Sequence, residues 1–472
     1  MSRIRGGAGG AALAMAMLGA CAVGPDYHAP AFDLPADWST ARNERGSSAR
    51  IEDLSQWWTR FEDPVLNDLI TRAIENNPDR AAALASIREA RARAKIAGAS
   101  RYPAIDAGGA AGAYQSGSAD WNGLYSAGLD ASWEADIFGG VKQELKAAEA
   151  TLQAREAAHV DVLTSLTAEV AVTYVEIRTL QERLRLTRAS IVAQEETFDQ
   201  VRWRAEAGLT SSLDVEQARA NFESTRAQIP TLQDTLANAF TSLSVLLGES
   251  PGIVEATLTS PSDIPVAEPI NADVLPADLL RQRADLRSAE RNLAAQSARV
   301  GVATTALYPR LTLSGSLGAS ADDLSGLLDE TGLANSLVSS LSAPVFNAGA
   351  LRANVEAEDA VLEQALASYE SAVLLALKEV EDALSAASTA RARSDFLDKA
   401  VRASQQAYDM ALLEYQTGLV DFQTVLDTQR TLLSLQDDLA QSQAAETNSQ
   451  IATYKALGGG WSQTGLDPNF GR

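Results

Sequence analysis

Between Val141 and Ala207 there are 67 consecutive residues without glycine or proline, and between Ala350 and Thr417 there are 68. Both stretches are rich in Ala, Leu, Glu, Arg and Gln, which lose little on entering a helix. At 1.5 Å per residue each makes a rod roughly 100 Å long, against about 11 residues for a usual globular helix. Rods of that length need other helices alongside, so the pattern predicts coiled-coil-like packing. Each ends at a Gly-Leu pair, Gly208-Leu209 and Gly418-Leu419, and 39 residues then run to the next glycine. Glycine readily adopts the left-handed conformation that stops a helix. Long rod, tight turn and shorter returning rod therefore predict two helical hairpins, with a kink at Pro230 in the first return and none in the second.

The hairpins belong to a longer duplication. Tyr102-Pro103 recurs as Tyr308-Pro309, and Ile137-Phe138-Gly139-Gly140 answers to Val345-Phe346-Asn347-Ala348-Gly349. Ala207-Gly208-Leu209 returns as Thr417-Gly418-Leu419, and Leu247-Gly248 as Leu457-Gly458. The offsets are 206, 208, 210 and 210, so order is kept with small insertions. This divides the chain into a first repeat, 64–250, and a second, 277–460, with a tail at 461–472. The segment 251–276 carries Pro251, Pro261, Pro265, Pro269 and Pro276, which predicts a non-helical linker. Residues 21–63, with Pro25, Pro30 and Pro35, read as an extended tether.

Before each long helix the period changes to two. Tyr125, Ala127, Leu129, Ala131, Trp133, Ala135 and Ile137 alternate with Ser126, Gly128, Asp130, Ser132, Glu134 and Asp136, the signature of a strand with unlike faces. In the second repeat Leu311, Leu313, Leu317 and Ala319 alternate with Thr312, Ser314, Ser316 and Ser320, and Leu337, Leu341 and Val345 fall on a later strand. Residues 103–114 are too rich in Gly and Ala to alternate clearly and are assigned as strand by the repeat alone. Four strands per chain follow. A strand polar on one face and apolar on the other fits a membrane barrel wall, yet the smallest membrane barrels need about eight strands. Open edges in a bilayer leave backbone groups unpaired at several kcal/mol each, so such a barrel must be shared between chains. A soluble sheet packed on a helical bundle has the same period. The aromatics Tyr102, Phe138, Tyr308 and Phe346, all expected at helix–strand junctions, favour a membrane interface.

Composition excludes several functions. Lys plus Arg number 39 against 62 Asp plus Glu, a net charge of −23, and no basic cluster is present to follow a phosphate backbone, so nucleic acid is not an expected partner. Two histidines, His28 and His159, and one cysteine, Cys21, are too few for a His/Cys metal cluster or a Cys-His dyad. No cofactor, metal or catalytic residue is expected. The string Gly248-Glu249-Ser250-Pro251-Gly252 matches a nucleophile elbow but lacks the strand before it and the helix after it, so Gly248 is read as a helix stop. At the amino terminus, Arg3 and Arg5, an apolar small-residue stretch and Leu18-Gly19-Ala20-Cys21 form a lipoprotein signal layout over 1–20, with Cys21 as the residue acylated after cleavage.

The chain resembles a lipoprotein of the TolC-type outer-membrane efflux channels, the outer-membrane factors of resistance-nodulation-division pumps. The resemblance is carried by Cys21-Ala22-Val23-Gly24-Pro25-Asp26-Tyr27, Trp57-Trp58 with Phe61 and Asp63-Pro64, the two Tyr-Pro junctions, the two Gly-Leu hairpins and Ala456-Leu457-Gly458-Gly459-Gly460-Trp461. It implies a mainly α fold with a small membrane β-barrel contribution: two tandem repeats, long helical hairpins forming a periplasmic tunnel, and a homotrimer whose twelve strands make one pore. It implies as partners a periplasmic adaptor (membrane fusion) protein, an inner-membrane pump and outer-membrane lipid. The chain would be a passive exit duct, lipid-anchored in the outer membrane and extending into the periplasm. The competing function is a lipid-anchored periplasmic coiled-coil adaptor or scaffold without a pore, which gives no reason for strand pairs repeated before each long helix.

Candidate site residues follow. Asp130, Glu134 and Asp136, on one strand face, would line the pore and favour cations. Leu209, Thr210, Ser211, Ser212, Leu419 and Val420, at the hairpin turns, would meet the adaptor. Asp214, Asp427 and Tyr415 match positions where the family places acidic and aromatic residues at the periplasmic gate. The family's arginine after the second hairpin glycine is replaced here by Val420.

Overall fold

The computed structural model describes residues 23–32, 54–115, 117, 120–266, 282–328 and 333–461; the signal segment, Cys21 and the tail beyond Trp461 lie outside them. In chain order the elements are α1 (Pro64–Asn76), α2 (Pro78–Ala99), β1 (Ala104–Tyr114), β2 (Asn122–Ala135), α3 (Gly140–Glu206), α4 (Ser212–Arg226), α5 (Gln228–Leu246), α6 (Ile253–Thr257), α7 (Ala284–Thr305), β3 (Arg310–Ala321), β4 (Leu333–Ser342), α8 (Ala350–Thr417) and α9 (Phe422–Ala456). The fold is mainly α with one four-stranded sheet. The long helices α3 and α8 contain 67 and 68 residues, each within one residue of its expected limits. The first returning helix is broken at Ala227, which places Pro230 in the first turn of α5, where its missing N–H costs nothing. The second return, α9, is unbroken over 35 residues.

The described residues divide into two units. The first comprises residues 23–32, 85–157 and 285–372 and holds the sheet, ordered β1-β2-β3-β4 and antiparallel throughout. The four aromatics expected at junctions fall between α2 and β1, β2 and α3, α7 and β3, and β4 and α8. Phe138 stacks on Tyr308 with centroids 4.9 Å apart. Val345 and Ile137, read as strand residues, lie beyond the ends of β4 and β2. Residues 23–32, the first described part of the segment read as an extended tether, carry neither helix nor strand and pack within this unit. The Val23 N–H donates to the Phe138 carbonyl at 3.1 Å, the Tyr27 hydroxyl donates to Glu290 at 2.6 Å, and Phe32 meets the edge of Tyr369 at 5.3 Å.

The second unit, residues 54–84, 158–266, 282–284 and 373–461, carries the main apolar core. Trp57, Trp58 and Phe61 form a short 3-10 helix whose rings are buried, and Trp57 stacks on Tyr454 at 5.3 Å. Leu66, Leu69 and Ile70 of α1, Tyr174 and Ile177 of α3, Leu243 and Leu247 at the end of α5 and Ile451 of α9 complete it. Asp63 fixes the entry to α1: one carboxylate oxygen accepts from the N–H groups of Val65 and Leu66 at 2.8 and 3.2 Å, and the other accepts from the Tyr174 hydroxyl at 2.6 Å. Burial and that bond push the Tyr174 pKa up to about 12. Asn77 repeats the Asp-Pro arrangement for α2, accepting from Asp79 and Arg80 N–H, while its amide donates to the Leu246 carbonyl at 2.9 Å. Gly248 stops α5 at φ 67°, and a Cβ there would stand 2.4 Å from the Asn76 carbonyl oxygen.

The linker departs from expectation. It contains the helical turn α6, and Val254 and Leu258 are buried in the core. Arg178 donates to the Ser260 carbonyl at 2.8 Å and Gln181 to the Leu258 carbonyl at 2.7 Å. The described part of the linker, 251–266, thus packs on the core through Val254, Leu258 and Ile264, and 267–276 lie outside the described residues.

Candidate functional site

In the first unit the candidate functional surface is the sheet. Cα pairing sets Asp106 opposite Asp130, Asp130 opposite Ser316 and Ser316 opposite Ser336; directly opposed residues share a face. The Ser316 and Ser336 hydroxyls lie 2.8 Å apart on it. Glu134, Thr312 and Ser340 form a second row, and Ser132 with Ser314 a third. The other face carries Trp133 opposite Leu313, Leu129 opposite Leu317 and Leu311 opposite Leu341. The alternation therefore holds from β2 to β3 and is mixed in β4, where Val338 faces Ser314 while Asn335 and Ser339 face Leu317 and Leu313. Asp106 is a carboxylate the sequence reading missed, because β1 is too rich in Gly and Ala to reveal its faces. Asp136 is not on the strand: β2 ends at Ala135, and the Asp136 carboxylate accepts from the Val141 and Lys142 N–H groups at 3.1 and 2.9 Å. It caps the first turn of α3, whose free N–H groups attract a carboxylate.

In the second unit the hairpin turns have one construction. Leu209 N–H donates to the Arg204 carbonyl and Leu419 N–H to the Glu414 carbonyl, both at 2.8 Å. Gly208 N–H bonds Ala205 and Gly418 N–H bonds Tyr415, at 2.9 and 3.1 Å. With φ of 72° and 79° at the glycines, both ends are Schellman motifs. The helices that follow start on Ser211 and Asp421. The Ser211 hydroxyl accepts from Asp214 N–H at 3.2 Å, and Asp421 accepts from Thr424 N–H at 3.0 Å.

Leu209 and Leu419 are 70% and 77% exposed at the turns. Thr210 is half-buried, its hydroxyl donating to Asp214; Ser211 and Ser212 are exposed. Val420, placed with the exposed leucines by the sequence, packs instead against the cluster of Val201, Tyr415, Phe422, Val425 and Leu426. Asp214 closes a capping box, and the Thr210 hydroxyl together with Ser211 holds its carboxyl below the usual range. Asp427 is exposed and accepts from Gln423 at 2.9 Å. The Tyr415 ring is buried, 5.4 Å from Phe422. The cation on that ring is Arg204 of the first hairpin, with Cζ 4.7 Å from the centroid. It lies 211 residues away in sequence, and no local pattern could have found it.

Comparison with known proteins gives one answer. The outer membrane efflux protein family matches over residues 69–249 and 275–459. The toluene efflux pump outer membrane protein TtgI of Pseudomonas putida is 33% identical over 477 residues, covering 95% of this chain and 97% of its own. The outer membrane protein OprJ of Pseudomonas aeruginosa is 33% identical over 455 residues, covering 94% of each chain. The solved outer-membrane channel OprN superposes with a TM-score of 0.88 at 35% identity, covering 93% of this chain and all of that one. Duplicated hairpins, a two-faced sheet with open edges and these relatives together place the chain in the outer membrane efflux protein family, as an outer-membrane channel of an efflux system.

Proposed function

We propose that three copies of the chain close a twelve-stranded barrel in the outer membrane, and that their hairpins form a periplasmic tunnel receiving substrates from an inner-membrane resistance-nodulation-division pump through a periplasmic adaptor. The carrying observation is the sheet. It has four strands, and its edge strands β1 and β4 are exposed at every residue, so alone it leaves two rows of backbone groups unpaired where no water can satisfy them. Pairing β4 of one copy with β1 of the next removes every edge. The polar face carrying Asp106, Asp130 and Glu134 then lines the pore, and Leu129, Trp133, Leu317 and Leu341 meet lipid. Asp136, bound to the first turn of α3, stands just beyond the strand at the pore's inner end.

Cys21 carries the lipid anchor, and Leu209 and Leu419 with Thr210, Ser211 and Ser212 at the turns form the adaptor contact, supported at its base by Val420. Asp214, Asp427 and Tyr415 belong to the constricted end. An adaptor without a pore has no use for two-faced strand pairs. The test is migration of the outer-membrane fraction with and without heating. A barrel predicts a band that shifts on heating, and Leu209→Asp with Leu419→Asp should abolish export while leaving that band in place. A chain in the soluble periplasmic fraction with no heat-modifiable form would overturn the proposal.

A further inference from the structure

Within the second unit, α3, α5 and α9 enclose a groove of about 500 Å³. Its walls include Val172, Val245, Leu246 and Ile451, and Val172 and Val245 are exposed. On α3 the groove residues Glu169, Val172 and Thr173 point away, at about 100° per residue, from Val170, Tyr174 and Ile177 of the core. The core face of these helices is sealed by Trp57, α1 and α6. Those covering elements would obstruct a passage if they stood inside it. With the hairpins read as a tunnel, the groove therefore opens on the lumen.

The lining defines what the groove takes. Its size falls within the roughly 300–1,000 Å³ of small-molecule sites, which are mostly apolar with a few placed polar groups. The rim carries one acid, Glu169, and one base, Lys455, both exposed, so their charges cancel. An ion would also lose hydration against the apolar walls, which leaves a neutral solute favoured. Asn448 supplies the placed polar group: its Oδ1 is buried without a hydrogen-bond partner, and an orphaned acceptor is costly until a donor reaches it. The second repeat differs here. At the offset of 210, Val170 and Val380 are both buried, but Lys378 and Asp382 stand where α3 has Ala168 and Val172, and they form an ion pair at 2.5 Å. The apolar wall thus lies at positions where the repeats have diverged.

We propose that this groove is a retention site for a neutral, largely apolar solute with a single hydrogen-bond donor, which Asn448 Oδ1 accepts while Val172, Val245 and Leu246 cover the apolar body. It rests on reading the hairpins as a tunnel. The test follows modification of Ala452→Cys, on the groove wall, by a small charged thiosulfonate in the assembled channel. Ala445→Cys, exposed on the same helix outside the groove, is the reference, and the wild type sets the background from Cys21. Naphthol should slow modification of Ala452→Cys and leave Ala445→Cys unchanged. It should bind about fivefold tighter than its methyl ether, which keeps the rings and lacks the donor; that factor is ~1 kcal/mol, one hydrogen bond. Asn448→Leu should erase the difference while both probes still protect. Val172→Asp, which puts the acid of the second repeat into the groove, should abolish protection by both, and it carries the test if Asn448→Leu fails to assemble. Equal slowing at both cysteines, no slowing at Ala452→Cys, or equal protection by naphthol and its ether would overturn the site. The tunnel is read separately with a maleimide on a bulky polymer, which should reach neither cysteine until the assembly is unfolded. Full labelling of both in the intact assembly would overturn the tunnel, whatever the probes show at the groove.

Discussion

The helices α3 and α8 are one element written twice, 67 and 68 residues long, each following a strand pair and ending in the same glycine turn. They differ in what covers them: 26 residues of α3 are buried and seven of α8. Helix propensity cannot explain this, since both are built from the same good helix formers. In α3 the stripe Val170, Tyr174, Ile177 and Leu184 faces the ring cluster, α1 and α5. In α8, Leu374, Leu375, Phe396, Met410 and Leu413 remain exposed within one copy. The adjacent Leu374 and Leu375 make the pair on this helix suited to contact with another copy. In the proposed assembly α3 serves the core of the protomer, and the exposed residues of α8 are left for neighbouring copies to cover.

The largest expected effect tests the uncovered helix. Leu374→Glu with Leu375→Glu should abolish assembly and leave the protomer's helical content intact, as read by mass in detergent and circular dichroism. If helical content collapses with assembly, the exposed face of α8 is not an interface. The reciprocal change is Tyr174→Ala in α3, which removes a buried ring and strands Asp63 and Arg178; it should lower protomer stability by ~3–5 kcal/mol in chemical denaturation.

Smaller effects sharpen the comparison. Arg72 holds Glu249 through two hydrogen bonds of 3.0 and 2.5 Å, tying α1 to the end of α5. Arg72→Ala should cost ~1–3 kcal/mol by the same measurement. The smallest effects are pH-dependent and have separate windows. Asp214 has a depressed carboxyl pKa, so its stabilising contribution is present above the unfolded value near ~3.9 and is lost as pH falls through the folded value. Asp214→Ala should flatten that acid limb and cost ~1 kcal/mol at neutral pH, as a lost capping contact does. His159, on α3, is lowered mainly by burial and next by the Arg80 charge. The folded chain therefore prefers it neutral, and stability should fall as pH drops below ~6.5, where the unfolded chain takes up the proton. His159→Gln should remove that second limb and leave the Asp214 limb.

What the sequence made legible depended on range. The long helices were legible because glycine and proline bracket them, and β2 because a period of two over thirteen residues admits few other structures. β1 was legible only through its repeat, and Asp106 was hidden with it, since Gly108, Gly109 and Gly112 mark neither face. Asp136 followed the alternation one residue too far, into the cap of α3. The packing of Val254 and Leu258, the seat of Tyr27 on Glu290 and the reach of Arg204 to Tyr415 all join residues far apart in sequence. Local periodicity carries no signal for such contacts. The turn leucines were found because they sit beside the glycines, whereas Val420, one residue further, turns inward for reasons set by Tyr415 and Phe422.

In the proposed assembly neighbouring copies answer both the burial difference between α3 and α8 and the open edges of the sheet, so the most direct measurement is the mass of the detergent-extracted assembly with its strand content recorded on the same sample. Three chains per particle are predicted, dissociating when α8 is charged at Leu374 and Leu375. A monodisperse single chain retaining all four strands would contradict the shared barrel.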